Sequence, residues 1–193
     1  MFVPILILIL AGVLILAGCQ ATRAGYESAP YTVVRADGRF EVRDYPALTV
    51  VETSTARTNA DGSFGRLFGF ITGRNEAKQK IAMTTPVFMS GGSSNRTMAF
   101  VMPATIKSGT VPRPADDSLT LRELPAGRFA VLRFSGGRNA RAEEAALERL
   151  KAWMSAQALR EASPPVYGYF DPPWTPGFLR RNEVMLRTEA NPG

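Results

Sequence analysis

Residues 40–51 read FEVRDYPALTVV and residues 119–134 read LTLRELPAGRFAVLRF, and these two stretches decide the fold that the sequence predicts. Both alternate apolar and polar side chains, which is typical of strands that bury one face. Tyr45-Pro46 in the first stretch and Leu124-Pro125 in the second occupy equivalent places, about 79 residues apart. The chain is therefore predicted to contain one structural unit twice.

The same order of elements surrounds both stretches. In the first half we predict strands over 31–34 and 40–51 joined by a hairpin at Asp37-Gly38, a helix, and strands over 80–89 and 96–102. In the second half we predict strands over 119–125 and 128–134, a helix over 140–159, and strands over 166–170 and 183–188. Each half thus has the order strand, strand, helix, strand, strand.

The first helix is predicted from the i, i+3, i+4, i+7 spacing of Phe64, Leu67, Phe68 and Ile71. Asn59 or Asp61 could cap its start, and Gly73 could end it. Since neither half could bury its sheet face alone, the halves should combine, with 107–118 as the crossover. The predicted fold class is α+β: a distorted antiparallel β-barrel or sheet built from two ββαββ pseudo-repeats, with two helices packed on it. The cleft between the halves would be a natural ligand site.

The N-terminus has the pattern of an export signal. Residues 2–18 are almost continuously apolar, and Leu16-Ala17-Gly18-Cys19 resembles a lipobox, in which the cysteine is acylated after cleavage. We predict a lipoprotein signal peptide over 1–18, a lipid-anchored tether over 19–30, one domain over 31–188 and a tail over 189–193. An uncleaved transmembrane anchor is the alternative, because about 17 apolar residues is near the lower limit for a span.

These predictions place the domain in the cell envelope, lipid-anchored on the periplasmic side of a membrane. Gln20 follows the cysteine, and this resembles lipoprotein signals that direct a protein to the outer membrane. Two acyl chains suffice for stable anchoring. The expected partners are therefore a membrane and, through a net charge of +6, anionic groups.

Two features of the composition exclude whole classes of chemistry. The chain has no histidine, which excludes histidine-based catalysis and histidine ligation of a metal or haem. Its one cysteine, Cys19, excludes an intrachain disulfide and a Cys/His zinc site. There is no run of five basic residues, so nucleic acid is not an expected partner. No phosphate loop, nucleotide fingerprint or nucleophile elbow is present.

Three motifs carry a family resemblance: residues 80–87 (KIAMTTPV), 100–103 (FVMP) and 169–184 (YFDPPWTPGFLRRNEV). Together with the order of elements, they resemble the SOUL/haem-binding family over residues 31–188. The resemblance implies a distorted antiparallel barrel and a non-catalytic domain. It also implies that haem, or a related tetrapyrrole or flat hydrophobic molecule, binds beside the first helix.

The residues suggest how such a ligand would be held. One face of the first helix would be an apolar wall (Phe64, Leu67, Phe68 and Ile71), although the same face could instead be core. Arg180 and Arg181 would bind propionates, with an ion pair to Glu183 or Asp171 as the alternative. Tyr167, Tyr169 and Met83 are candidate axial ligands, and binding without a protein ligand is also open. No metal site is predicted with certainty.

Two other functions stay open at this point. One is an envelope protein without a small ligand. The other is a hydrolase or a tetrapyrrole-modifying enzyme that uses the same cleft, since a pair of carboxylates could do acid–base work there.

Overall fold

A computed structural model describes residues 25–55, 60–91, 96–106 and 109–189. The predicted lipobox with Cys19, the possible cap Asn59 and most of the tail lie outside the described residues. The elements in chain order are β1 (Glu27–Ser28), β2 (Thr32–Asp37), β3 (Phe40–Tyr45), β4 (Leu48–Ser54), α1 (Ala60–Ile71), β5 (Thr84–Thr85), β6 (Val87–Ser90), β7 (Thr97–Val101), β8 (Thr120–Leu124), β9 (Gly127–Phe134), α2 (Ala140–Ala156), β10 (Val166–Tyr169) and β11 (Asn182–Arg187), with a short 3-10 turn at Gly177–Leu179.

Nine strands form one antiparallel sheet in the order β2-β3-β9-β11-β10-β6-β7-β4-β8. Without β2, this order is symmetric about the β10–β6 pair, because β11 matches β7, β9 matches β4 and β3 matches β8. The repeats are therefore β3-β4-α1-β6-β7 and β8-β9-α2-β10-β11. The predicted α+β fold, with two ββαββ units and two helices on a curled antiparallel sheet, is confirmed.

The first two strands of the first repeat differ from the prediction. The stretch 40–51 is not one strand paired with 31–34, because the chain turns at Pro46, which has no N–H for a strand ladder. β3 instead pairs with β9 of the second repeat, and β4 pairs with β8. Each repeat thus gives its first strand to the other, and β2 is an added edge strand.

The predicted strand over 80–89 is also broken by a proline. Only Thr84–Thr85 and Val87–Ser90 are strands, on either side of Pro86. The Thr85–Pro86 peptide bond is cis. This break places Val87 and the residues after it in the centre of the sheet, opposite β10.

Both helices pack on one face of the sheet and bury the main core. α2 begins with Asn139, whose side chain accepts a hydrogen bond from the Ala142 backbone N–H. The fully buried apolar side chains of this core come from both helices and both repeats, and include Val51, Leu67, Leu132, Leu150, Val184 and Leu186. Among the residues that the structure describes, neither helix is long and apolar enough to cross a membrane.

The other face of the sheet carries a smaller apolar cluster and is partly covered by the N-terminal segment. β1 pairs in parallel with β5, and Ala29 is buried. The guanidinium of Arg43 lies 4.1 Å from the centre of the Tyr31 ring. The last residues of the predicted tether, 27–30, are therefore part of the folded domain, which begins earlier than predicted.

Candidate ligand-binding site

A cavity of about 370 Å³ lies on the helix side of the sheet, over the two central strands. This volume is within the range of small-molecule sites. Its walls come from both repeats, since Phe64 belongs to α1, Val87 and Met98 to β6 and β7, and Tyr169 to β10. The exposed Arg138 and the half-buried Arg180 also line it.

A buried polar cluster around Glu143 lies beside this cavity. Glu143 is 6% exposed, although it lies in the first turn of α2. Its carboxylate accepts a short hydrogen bond from the Tyr169 hydroxyl and a 2.6 Å bond from the Arg96 guanidinium. The Tyr167 hydroxyl donates to the Glu143 backbone carbonyl at 3.4 Å. Arg96 balances the buried carboxylate, and Tyr169 extends the cluster to the cavity.

The two tyrosines remain protonated to higher pH than usual. Burial raises the pKa of the Tyr169 hydroxyl well above its ordinary value, and the hydrogen bond to Glu143 raises it further. Burial and then the charge of Glu143 also raise the pKa of Tyr167. Both phenols therefore act as neutral hydrogen-bond donors near neutral pH.

Replacing Tyr169 by Phe should lower the free energy of unfolding at pH 8 by about 1.5–3 kcal/mol, because a hydrogen bond to a carboxylate is lost. The pKa of Tyr169 is raised in the folded protein, so its contribution is complete below pH 10 and is lost as the pH rises further. The difference between the two proteins should therefore shrink by roughly 1 kcal/mol between pH 8 and pH 11. Urea denaturation of both proteins at pH 8 and pH 11 measures this difference in the free energy of unfolding. A difference that stays the same at the two pH values would contradict the assigned hydrogen bond.

The structure divides the predicted apolar wall into two pairs. Leu67 and Ile71 are 0% and 3% exposed and belong to the core, which is the alternative that the sequence left open for this face. Phe64 and Phe68 are 39% and 45% exposed and stack with ring centres 5.9 Å apart. The helical spacing could not separate these pairs, since the face it defines spans the boundary between core and surface.

The two predicted arginines also have different surroundings. Arg180 lines the cavity, but its guanidinium donates to the backbone carbonyls of Thr175, at 2.7 Å, and Pro173. Arg181 forms a 2.6 Å ion pair with Glu183, which is the alternative that the sequence left open. Burial opposes the charge of Arg181, yet Glu183 holds its pKa above the ordinary value.

The three candidate axial ligands likewise lie in different parts of the domain. Tyr169 lines the cavity, whereas Tyr167 is buried in the main core and Met83 is partly buried against that core. Ligation of ferric iron by tyrosine uses the phenolate, and Glu143 opposes loss of the Tyr169 proton. Within the described ranges, no group of three or more histidine, cysteine, aspartate or glutamate side chains could hold a metal ion.

A second cavity, of about 410 Å³, lies on the opposite face of the sheet. Its walls are mainly apolar, but its two arginines are engaged. Arg122 pairs with Glu52 at 3.0 Å, and Arg187 donates to the carbonyls of Pro125 and Ala126. Although this cavity is larger, both of its arginines are engaged, Arg122 by a carboxylate and Arg187 by two backbone carbonyls. In the cavity on the helix side, Arg138 donates only to the Met89 sulfur among the described residues, so we regard that cavity as the better site.

Sequence reasoning missed Glu143, Arg96 and Arg138. In the sequence, Glu143 has the position of a favourable charge at the start of a helix, but it also lies three residues before Ala146 and seven before Leu150. Both of these side chains are buried on α2. A carboxylate at this spacing on an apolar face is a signal that could have identified it. Nothing in the sequence distinguishes Arg96 or Arg138 from other basic residues.

Fold and cavity together define a two-repeat α+β domain with a cavity of small-molecule size beside its first helix. The family profile described as "SOUL heme-binding protein" matches residues 26–187, and the chain belongs to this family. No curated protein sequence matches it.

Solved structures with the same fold share little sequence with this chain. The EcmrR C-terminal domain aligns at 11% identity and a TM-score of 0.58, covering 82% of this chain and 98% of that one. A structure named as a hydrolase from Listeria innocua aligns at 8% identity and a TM-score of 0.58, covering 81% of this chain and 94% of that one. At these identities the similarity shows the fold alone.

Proposed function

We propose that this protein binds haem, or a related tetrapyrrole or flat hydrophobic molecule, in the cavity on the helix side of the sheet. The observation that carries the proposal is the position of Arg138 in the wall of a cavity that is partly apolar and aromatic (Phe64, Val87, Met98 and Tyr169) and partly polar (Asp171, Arg180 and Asn182). The Arg138 guanidinium donates to the Met89 sulfur, at 3.6 Å, and lies 5.7 Å from the centre of the Tyr169 ring. It is in none of the ion pairs of the described part of the chain. A carboxylate of a ligand could therefore form a charge-assisted hydrogen bond with the Arg138 guanidinium.

The residues present fit the two ends of such a ligand. Phe64, Val87 and Met98 offer apolar contact, and the exposed Phe68 extends this surface along α1. Arg138 would hold a propionate. The donor chemistry favours no protein ligand to iron, because burial and the hydrogen bond to Glu143 keep Tyr169 protonated, whereas ligation of ferric iron uses the phenolate. Affinity would therefore come from apolar burial and ionic contact.

We further propose that the domain is lipid-anchored through Cys19 after removal of residues 1–18, on the periplasmic side of the cell envelope. The support is the apolar stretch 2–18, which ends in Leu16-Ala17-Gly18 and is followed directly by Cys19 and by small or polar residues. Gln20 supports an outer-membrane location. The anchor would keep the binding cavity at a membrane surface, where apolar ligands accumulate.

Titration with ferric haem, followed by absorbance in the Soret region, tests the binding proposal. Arg138→Ser should weaken binding about fivefold, as expected for a partly exposed charge pair worth about 1 kcal/mol. Arg122→Ser, in the opposite cavity, is the matched control and should bind like the parent. The bound spectrum should show no bis-histidine ligation at any pH, because the chain has no histidine. A silent titration, or loss only in Arg122→Ser, would contradict the assigned site.

A hydrolytic or tetrapyrrole-modifying activity is the second candidate, and the contact between Glu143 and Tyr169 favours it. A buried carboxylate hydrogen-bonded to a phenol at a cavity wall is an arrangement that can move a proton. Chromatography of the added tetrapyrrole after incubation separates the two functions. Unchanged tetrapyrrole supports a binding protein, and a new product that disappears in Glu143→Gln supports an enzyme.

A further inference from the structure

The loop between β10 and β11 presents two large apolar side chains to solvent. Trp174 and Phe178 are each 76% exposed, more than any other large apolar side chain among the described residues. The loop is nevertheless held in place. Arg180 donates to the carbonyls of Thr175 and Pro173. These hydrogen bonds hold the backbone of the loop, and the two rings remain exposed to solvent.

A basic groove adjoins this loop. It has a volume of about 290 Å³, and its polar lining is mainly arginine: Arg39, Arg133, Arg180 and Arg181, beside Leu179. Arg133 pairs with Glu41, and Arg181 pairs with Glu183. Arg39 is exposed and has no acidic partner within the described ranges. Four arginines against two glutamates leave the groove positively charged.

The N-terminal segment joins the domain at the same end of the sheet. The Ser28 and Thr85 hydroxyls are 3.1 Å apart, and the Tyr31 hydroxyl accepts a hydrogen bond from Arg181, the last residue of the loop. Six residue steps separate Cys19 from Gly25, so the chain between them spans at most about 20 Å. An anchor at Cys19 would therefore hold this end of the domain close to a bilayer.

From these three observations we infer that Trp174, Phe178 and the arginine groove form a docking face for a bilayer of anionic phospholipids. Tryptophan and phenylalanine partition into the membrane interface, and guanidinium groups bind headgroup phosphates. The inference rests on the proposed anchor, which supplies the tether. Since Pro173 and Arg180 also line the ligand cavity, docking brings the cavity to the lipid surface.

The test uses the full acylated chain, reconstituted into vesicles of phosphatidylcholine with or without phosphatidylglycerol. Acyl chains labelled with bromine quench a tryptophan that enters the bilayer. We expect quenching of Trp174 in vesicles that contain phosphatidylglycerol, and none in Trp174→Phe, where only the buried Trp153 remains. Arg39→Ser should weaken this docking about fivefold, whereas the exposed control Arg160→Ser should not.

The outcomes separate the docking face from the anchor. Chains that float with the vesicles but show no quenching would overturn the docking face and leave the anchor intact. Parent chains that do not float with the vesicles would overturn both the anchor and the docking face. We expect this result only for Cys19→Ala with its leader removed. Equal quenching without phosphatidylglycerol would overturn the role of the arginines. A blue shift of Trp174 emission with rising protein concentration in vesicle-free buffer would instead assign the face to self-association.

Discussion

Replacing Arg43 by Met is expected to lower the free energy of unfolding by about 3–5 kcal/mol, because it removes one partner of a fully buried ion pair. Arg43 and Glu183 are both 0% exposed, and two hydrogen bonds of 2.8 and 3.0 Å join them. Arg43 also donates to Glu41 at 2.6 Å and to the Tyr45 hydroxyl at 3.1 Å. The substitution would leave Glu183 with Arg181 alone and Glu41 with Arg133 alone.

Arg133→Met is the matched control, since Arg133 also pairs with Glu41, at 2.8 Å, but is 41% exposed in its side chain. An exposed pair contributes less than about 1 kcal/mol, so this variant should unfold near the denaturant midpoint of the parent. Guanidinium denaturation followed by circular dichroism measures both. Equal losses in the two variants would show that the buried network contributes no more than a surface pair.

The network of Arg43, Glu183 and Glu41 also shows what could not be predicted from the sequence. The alternation in FEVRDY predicts a strand with Val42 on the apolar face and Arg43 on the polar face. Arg43 is nevertheless buried, because Tyr31 covers it from the N-terminal segment and Glu183 comes from a strand 140 residues away. Alternation reports which side chains share a face, but not what covers that face. Only the tertiary structure brings these groups together.

The repeat was predictable for a related reason. Equivalent prolines at 46 and 125 follow strand stretches of similar pattern, and this similarity is a property of the sequence itself. The exchange of β3 and β8 between the repeats was not predictable, since the alternation in each strand shows which side chains share a face but not which strand is its neighbour. The exchange joins the halves in addition to the β6–β10 pair, and the cavity lies over that central pair.

The candidate site was predicted in part. Phe64, Tyr169 and Arg180 were singled out from the sequence, and all three line the cavity. Leu67 and Ile71 were chosen by the same helical spacing and are core, because spacing alone does not fix how far around a helix the protein interior extends. Glu143 was missed since charged residues in a first helical turn are usually explained by the helix dipole.

Phe64→Asp is expected to weaken haem binding about 100-fold if the cavity on the helix side is the site. Phe64 lines that cavity, and a carboxylate there would have to lose water when an apolar ligand covers it, a cost of several kcal/mol. Phe64 is 39% exposed, so the substitution should cost the fold only about 1 kcal/mol through its edge contact with Phe100. Absorbance titration and a melting curve should be recorded on the same samples.

Phe68→Asp is the matched control, because Phe68 lies one turn further along α1, has a similar exposure of 45% and does not line the cavity. It should weaken binding less than Phe64→Asp does, since it removes only the neighbouring apolar surface. Loss of affinity in Phe64→Asp, with a cooperative melting curve only about 2–4 °C below that of the parent, supports the site. Equal losses in the two variants would place the ligand on the exposed face of α1 rather than in the cavity. Parent-like affinity in a folded Phe64→Asp protein would exclude the cavity, and the larger cavity on the opposite face, beside Arg122, would then be the site to test.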